Sequence, residues 1–241
     1  DGKQVSLKAN KIGSECFRLW KACDAQVGDD FHINPEEIES KYFGVLTKVF
    51  NVARFASQFD VPEDFDKAPL DLAAEDRWIL SEFDDVMGRV QEAWSRIDIY
   101  TAAQSLKGFG TGVFPSHWLE MSKSRLYDGD TAAAWTLHRV VRDLLSALSP
   151  ICPFFCHYLS TTLYGSSAVD VRFFPRLPTG AIGEDADAMR ALTPIISEFN
   201  SAVWKSKKDT GISLKSPISG IAIPSELSAL EDSLVRMHSL E

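Results

Sequence analysis

Lys48, Asn51, Arg54 and Phe55 are the residues of this chain whose types and spacing suggest chemistry toward a ligand. At 100° per residue, the stripe Tyr42, Val45, Leu46, Val49, Ala53 and Ala56 defines a buried direction, and the four fall on the opposite face. An aromatic ring among hydrogen-bond donors can stack on an unpaired base while Lys, Arg and Asn reach phosphates and base edges. The same ring can instead pack on a neighbouring helix; Phe43 and Phe50, also off the stripe, point to several packing partners. A second locus is Trp204-Lys205-Ser206-Lys207-Lys208. With Lys215 and Asp209 it makes residues 200–215 the densest positive patch, net +3. Lys205, Lys207 and Lys208 could contact phosphates, or simply complement a helix C-terminus.

Other chemistries are excluded more readily. Met121-Ser122-Lys123-Ser124 looks like an ATP-handling loop, but it closes a predicted helix and no His-x-Gly-His partner accompanies it; Phe31-His32-Ile33-Asn34 lacks the glycine and the second histidine. Gly108-x-Gly110-x-Gly112 follows no strand and lacks the spacing of a nucleotide-binding turn. His32, His117, His138, His157 and His238 are dispersed, and none pairs in sequence with a carboxylate or serine in a catalytic arrangement. Cys16 and Cys23 are seven apart, and Cys152 and Cys156 four apart, spacings that favour buried reduced thiols over a metal knuckle. We assign no catalytic residue, no metal site and no cofactor to the chain.

The 241 residues carry 25 Lys+Arg against 34 Asp+Glu, net −9, which excludes a basic nucleic-acid tail. Residues 60–98 alone hold twelve acids and four bases, so the acidity does not forbid an anionic partner elsewhere. The composition, 45% hydrophobic and 11% aromatic, is that of a globular chain. No run approaches the roughly 20 apolar residues of a membrane span and no signal pattern opens the chain, so we expect a soluble, cytoplasmic protein without a membrane partner.

The elements that must position these residues are helical. Cys16, Leu19, Trp20 and Cys23 predict a helix over 13–25. Pro35 opens a second to about 59, and Ile79, Phe83, Val86, Val90, Ala93 and Ile97 sustain a third. Residues 100–127 are helical at both ends with a break expected at 108–116, where Gly108, Gly110, Gly112 and Pro115 fall. Asp130 caps the helix that buries Leu137 to Leu148, and a further helix runs from Pro153 to about Tyr164. Ala168 to Phe174 reads as extended. Met189, Leu192, Ile196, Phe199 and Val203 stripe a long helix, stopped at Gly211. Ile218 to Ile223 reads as a strand, and Ser225 caps a last helix. A lone strand is not self-sufficient, so it either pairs with Ala168 to Phe174 or belongs to a small α+β unit that has been cut.

Several segments, in order, resemble the part of valyl-tRNA synthetases that follows the catalytic domain. They are Gly13 to Trp20, Gly28 to Phe31, Lys48-Val49-Phe50-Asn51-Val52-Ala53-Arg54-Phe55, Asp76-Arg77-Trp78-Ile79-Leu80-Ser81, Trp118 to Glu120 with Lys123 to Tyr127, and Leu148 to Phe154. The stretch from Asn200 to Pro224 is similar to the archaeal-type branch, while 108–116 departs from the family pattern. The resemblance implies a mainly α fold, the class Ia synthetase anticodon-binding helical bundle with a small α+β C-terminal appendage. Its parts would be 1–34, a linker and first helix; 35–178, the bundle; and 179–241, the long helix and appendage. The chain would be an excised C-terminal fragment, monomeric, with no DNA partner, binding the anticodon stem-loop of tRNA(Val) through Phe55, Arg54, Asn51 and Lys48 and the tRNA backbone through Lys205, Lys207 and Lys208. Valine codons begin GU, so that anticodon has A in the middle and C third. ATP would serve a catalytic domain absent from this chain. An isoleucine or leucine anticodon domain, and a helical protein-interaction scaffold, are the alternatives.

Overall fold

Asn34 marks where the chain turns helical: its backbone is extended and its Oδ1 accepts the N–H groups of Glu36 and Glu37 at 3.2 and 3.4 Å. Pro35 fills the first helical position, where no N–H is needed. The computed structural model describes residues 13–24, 28, 33–168 and 176–241. Among them run α1 (Ser14–Asp24), α2 (Pro35–Ala56), α3 (Ala74–Ser95), α4 (Ile99–Gly108), a π-helical segment (Phe109–Trp118), α5 (Leu119–Tyr127), α6 (Thr131–Leu148), α7 (Pro153–Tyr164), α8 (Ala186–Asp209), a 3-10 turn (Ser225–Leu230) and α9 (Glu231–His238). The fold is mainly α, as expected.

Several local expectations change. Ser225, expected to cap the last helix, opens the 3-10 turn without a side-chain cap bond, and α9 begins at Glu231; Ile97, expected on the stripe of α3, lies past its end and is exposed. The break expected at 108–116 is instead a change of helix type. Phe109, Phe114 and Trp118, all buried, recur at intervals of five and four, wider than an α-helical stripe and matched to the i→i+5 ladder of a π-helix. Pro115 lies inside it, and a Cβ at Gly110 would stand 3.0 Å from Leu144 Cδ2, so that a side chain there would need the leucine to shift by a few tenths of an ångström. The strand expected at 218–223 reduces to one parallel bridge, Ile218 with Leu240, because no second strand lies beside it among the described residues. The extended segment expected from Ala168 to Phe174 lies outside the described residues apart from Ala168, as do His32 and Phe31.

The chain divides into two compact units, each drawn from three separated stretches. In one, whose described residues lie within 13–58, 86–111 and 141–168, α1 packs on α2, α4 and α7, and α2 also on α7. Leu19, Trp20, Tyr42, Leu46 and Val49 are buried there. All four cysteines are free and buried, and burial pushes the Cys23 thiol up to about 11. Glu15 ties α1 to the start of α7 by accepting the Phe155 N–H at 3.2 Å.

In the other unit, within 59–85, 112–140 and 176–241, α9 packs on α5 and on the 3-10 turn that also meets α8. Its centre is ionic. Arg125 donates to Asp76 at 2.7 Å, Glu75 at 2.9 Å and Asp130 at 2.8 Å, while Trp118 donates to Asp76 and Ser233 to Glu75. Asp130 also caps α6 through the N–H groups of Ala132 and Ala133, the role its sequence position suggested. Asp76 and Glu75 are buried, so this network is structural: each carboxylate has a cation and a second donor to offset its lost hydration.

Candidate nucleic-acid interface

On α2 the helical period does what the residue types suggested. Ile38, Tyr42, Leu46, Val49, Val52, Ala53 and Ala56 are buried, and Lys48, Asn51 and Arg54 are exposed. Among the described residues none of these three side chains is engaged in an ion pair or hydrogen bond, so their donors are available to an incoming acceptor. Arg54 closes the last turn, where a cation also suits the helix dipole. Phe55 is half-buried, where the helical wheel alone placed it outside. The more open rings of this helix are Phe43, 64% exposed, and Phe50, 37% exposed.

The lysine triad at the end of α8 separates into two kinds. Lys205 and Lys208 are exposed, and so is Lys215 beyond them. Lys207 is fully buried, its ammonium donating to the carbonyls of Leu214 at 2.8 Å, Ser216 at 2.7 Å and His238 at 2.6 Å. It therefore does not serve as a phosphate contact, which corrects the expectation for that residue. The signal was present in the stripe Ile196, Phe199, Val203: the next inward position, four residues on, is Lys207, while Lys205 and Lys208 share the outer face. Burial lowers the Lys207 pKa.

Behind this helix end lies a buried polar chain that sequence reasoning did not find. His238 Nε2 lies 2.7 Å from Asn200 Oδ1, Asn200 Nδ2 lies 2.9 Å from His117 Nδ1, and His117 Nε2 lies 3.4 Å from Ser197 Oγ. An amide oxygen only accepts and an amide nitrogen only donates. His238 therefore donates from Nε2, while His117 accepts at Nδ1 and is neutral. Burial, with the nearby Lys207 charge and His117, pushes His238 down to about 4. Trp204 stacks on His117 at 5.9 Å and meets His238 edge-on at 5.8 Å. This packing fastens α9 to α8. His138 lies 3.1 Å from the Phe59 carbonyl and the exposed His157 3.0 Å from Ser167 Oγ, while His32 lies outside the described residues.

Met121 to Ser124 lies within α5, with Met121 and Ser122 buried and Lys123 bonded to Glu120, and has no open phosphate loop. Among the described residues no group of His, Cys, Asp and Glu could hold a metal ion, and no helix is long and apolar enough to cross a membrane.

Residues 76–222 match the family model described as the anticodon-binding domain of tRNA ligase. The chain is similar to the valine–tRNA ligase of Aeropyrum pernix, 31% identical over 239 residues, covering 95% of this chain and 28% of that protein. The valine–tRNA ligase of Pyrobaculum aerophilum is 33% identical over 237 residues, covering 94% and 28%. That of Nanoarchaeum equitans is 27% identical over 233, covering 96% and 29%. The chain thus spans little more than a quarter of the length of these relatives. Their similarity takes in α2, which precedes the family-model match.

Proposed function

The chain belongs to the family of anticodon-binding domains of tRNA ligases, and from that premise we propose that it holds the anticodon arm of a valine tRNA for aminoacylation. The observation that carries this reading is the outer face of α2, where Lys48, Asn51 and Arg54 stand exposed beside Phe55 with no side-chain partner among the described residues. Cationic and amide donors around a ring are the means by which proteins read unstacked loop bases. Asn51 alone among the four offers both a donor and an acceptor, the pair that the edge of the central adenine requires. Lys205 and Lys208 would follow the phosphate backbone without choosing a base, since a lysine is a mobile point charge.

In this reading the chain is monomeric and cytoplasmic and positions its RNA, while activation of valine with ATP is the work of a separate catalytic domain. The naming of the relatives as valine ligases favours valine over isoleucine or leucine. The test is a binding comparison among valine, isoleucine and leucine anticodon hairpins. The valine hairpin is expected to bind most tightly, and Phe55→Ala to weaken it by about 1–3 kcal/mol, the usual loss of one base–aromatic stack. Equal affinity for all three hairpins would remove the valine assignment. A Phe55→Ala protein that melts early yet binds normally when folded would make Phe55 a packing residue.

A further inference from the structure

We propose that Phe43 and Phe50 form a second stacking ridge on α2, so that the interface takes at least two unpaired nucleotides of the RNA loop; this rests on the anticodon-loop reading above. Phe43, Thr47, Phe50 and Arg54 recur at four, three and four residues and so line one ridge of the helix. Phe43 is 64% exposed and Phe50 37%, and neither ring joins an aromatic or cation–π contact among the described residues. Two open phenyl rings are costly to leave in water on a helix whose buried stripe is already complete, and a stacked base would cover each.

Charge identifies the occupant. In a chain of net −9, residues 40–59 contain no Asp or Glu and carry Lys41, Lys48 and Arg54, while exposed Glu39 stands one turn before Phe43 at the other end of the ridge. Lys41 is paired with Asp24 at 2.7 Å and Lys48 lies on the far side of the helix from Phe50, which leaves Arg54 as the outward cation on the ridge. Aromatic platforms in an acid-free stretch that ends on a cation suit a single-stranded polyanion. The exposed rings of α7 differ. Phe154 and Tyr158 stand in a stretch, 144–169, with no Asp, Glu, Lys or Arg, and Phe154 is already faced by Arg18 at 5.3 Å. The ridge on α2 is the one with the electrostatics for RNA.

The spacing sets how much RNA it takes. Phe43 and Phe50 are seven residues apart, about 10 Å along an α-helix, too far for both rings to sandwich one base. Each ring therefore takes its own base. Arg54, one turn past Phe50, is placed for the phosphate that follows, and the face bearing Asn51 and Lys48 adjoins it.

The experiment is a titration of a valine-anticodon hairpin carrying 2-aminopurine in its loop, followed by anisotropy and by quenching of the base fluorescence, with thermal unfolding recorded for every variant. Phe43→Ala is the clean variant because the ring is mostly in solvent. It is expected to weaken binding about 5- to 150-fold, with less quenching and unchanged melting, and Phe43→Trp to restore both. Phe50→Ala is expected to act in the same direction. If the unsubstituted protein binds and both alanine variants bind and quench equally well, the ridge is not an RNA surface, and the anticodon reading through Phe55 still stands. If the unsubstituted protein does not bind the hairpin, both readings fall together.

Discussion

Lys205, Lys207 and Lys208 are near neighbours in sequence with opposite physical roles. Lys207 offers three hydrogens to three carbonyls and has no carboxylate partner among those bonds, so the carbonyl dipoles of Leu214, Ser216 and His238 take the place of water. Truncation would leave three buried acceptors unsatisfied. Lys207→Met is therefore expected to destabilise the fold by about 2–4 kcal/mol, read as an earlier thermal midpoint, with little effect on the salt dependence of hairpin binding by the folded fraction. The exposed pair reverses the pattern. Lys205→Ala with Lys208→Ala should leave stability within about 0.5 kcal/mol but make the slope of log K against log salt shallower by about 0.7–0.9 for each lysine–phosphate ion pair removed. A salt slope unchanged in that double variant would assign both lysines to the helix end alone.

At the scale of elements, the helices are set by local signals and joined by buried polar groups. Asn34 supplies the start of α2, and Asn34→Ala is expected to cost about 1 kcal/mol, measured by chemical unfolding. The attachment of α9 is pH-dependent with a definite sign. His238 is held at about 4 when folded against an ordinary value near 6.5, so between these the unfolded chain binds more protons than the native one. Stability from this group is complete above pH 6.5 and is lost as pH falls toward 4, by up to about 3 kcal/mol. His117 is shifted in the same direction and adds to the loss. Its Nδ1 cannot be protonated without facing the Asn200 N–H donor. Unfolding at pH 7 and 4.5 should show the loss, and His238→Gln should remove much of the difference; an equal loss in that variant would place the acid sensitivity elsewhere.

For the whole molecule, the −9 charge means that RNA is met through local patches rather than a general field, so hairpin affinity should fall with salt along a slope set by the few cations of those patches. Residues 76–222 match an anticodon-binding domain, and the chain spans little more than a quarter of the valine–tRNA ligases it is similar to. Valine-dependent pyrophosphate exchange is therefore expected to be absent from the purified chain, and turnover that persisted through purification would overturn its assignment to positioning alone.

Most helix starts and the inward stripes were legible in the sequence, because a 3.6-residue period and start signals such as Pro35 and Asp130 act over a few residues and need no distant partner. The outward placement of Lys48, Asn51 and Arg54 followed from the same period. The sequence also ordered the segments that resemble valyl-tRNA synthetases, and the family match is consistent with that reading. Tertiary structure alone decided the rest. The glycines and proline at 108–116 read locally as a break, yet buried Phe109, Phe114 and Trp118 hold that stretch in a wider helix. Exposure of Phe55 against Phe43 and Phe50 depends on which neighbours flank α2, which one helix's wheel does not contain. The pairing of Asn200 with His117 and His238 arises from long-range contacts whose sequence separation leaves no periodic trace; the period already placed Lys207 inward, but only the tertiary structure supplies the His238 carbonyl it meets.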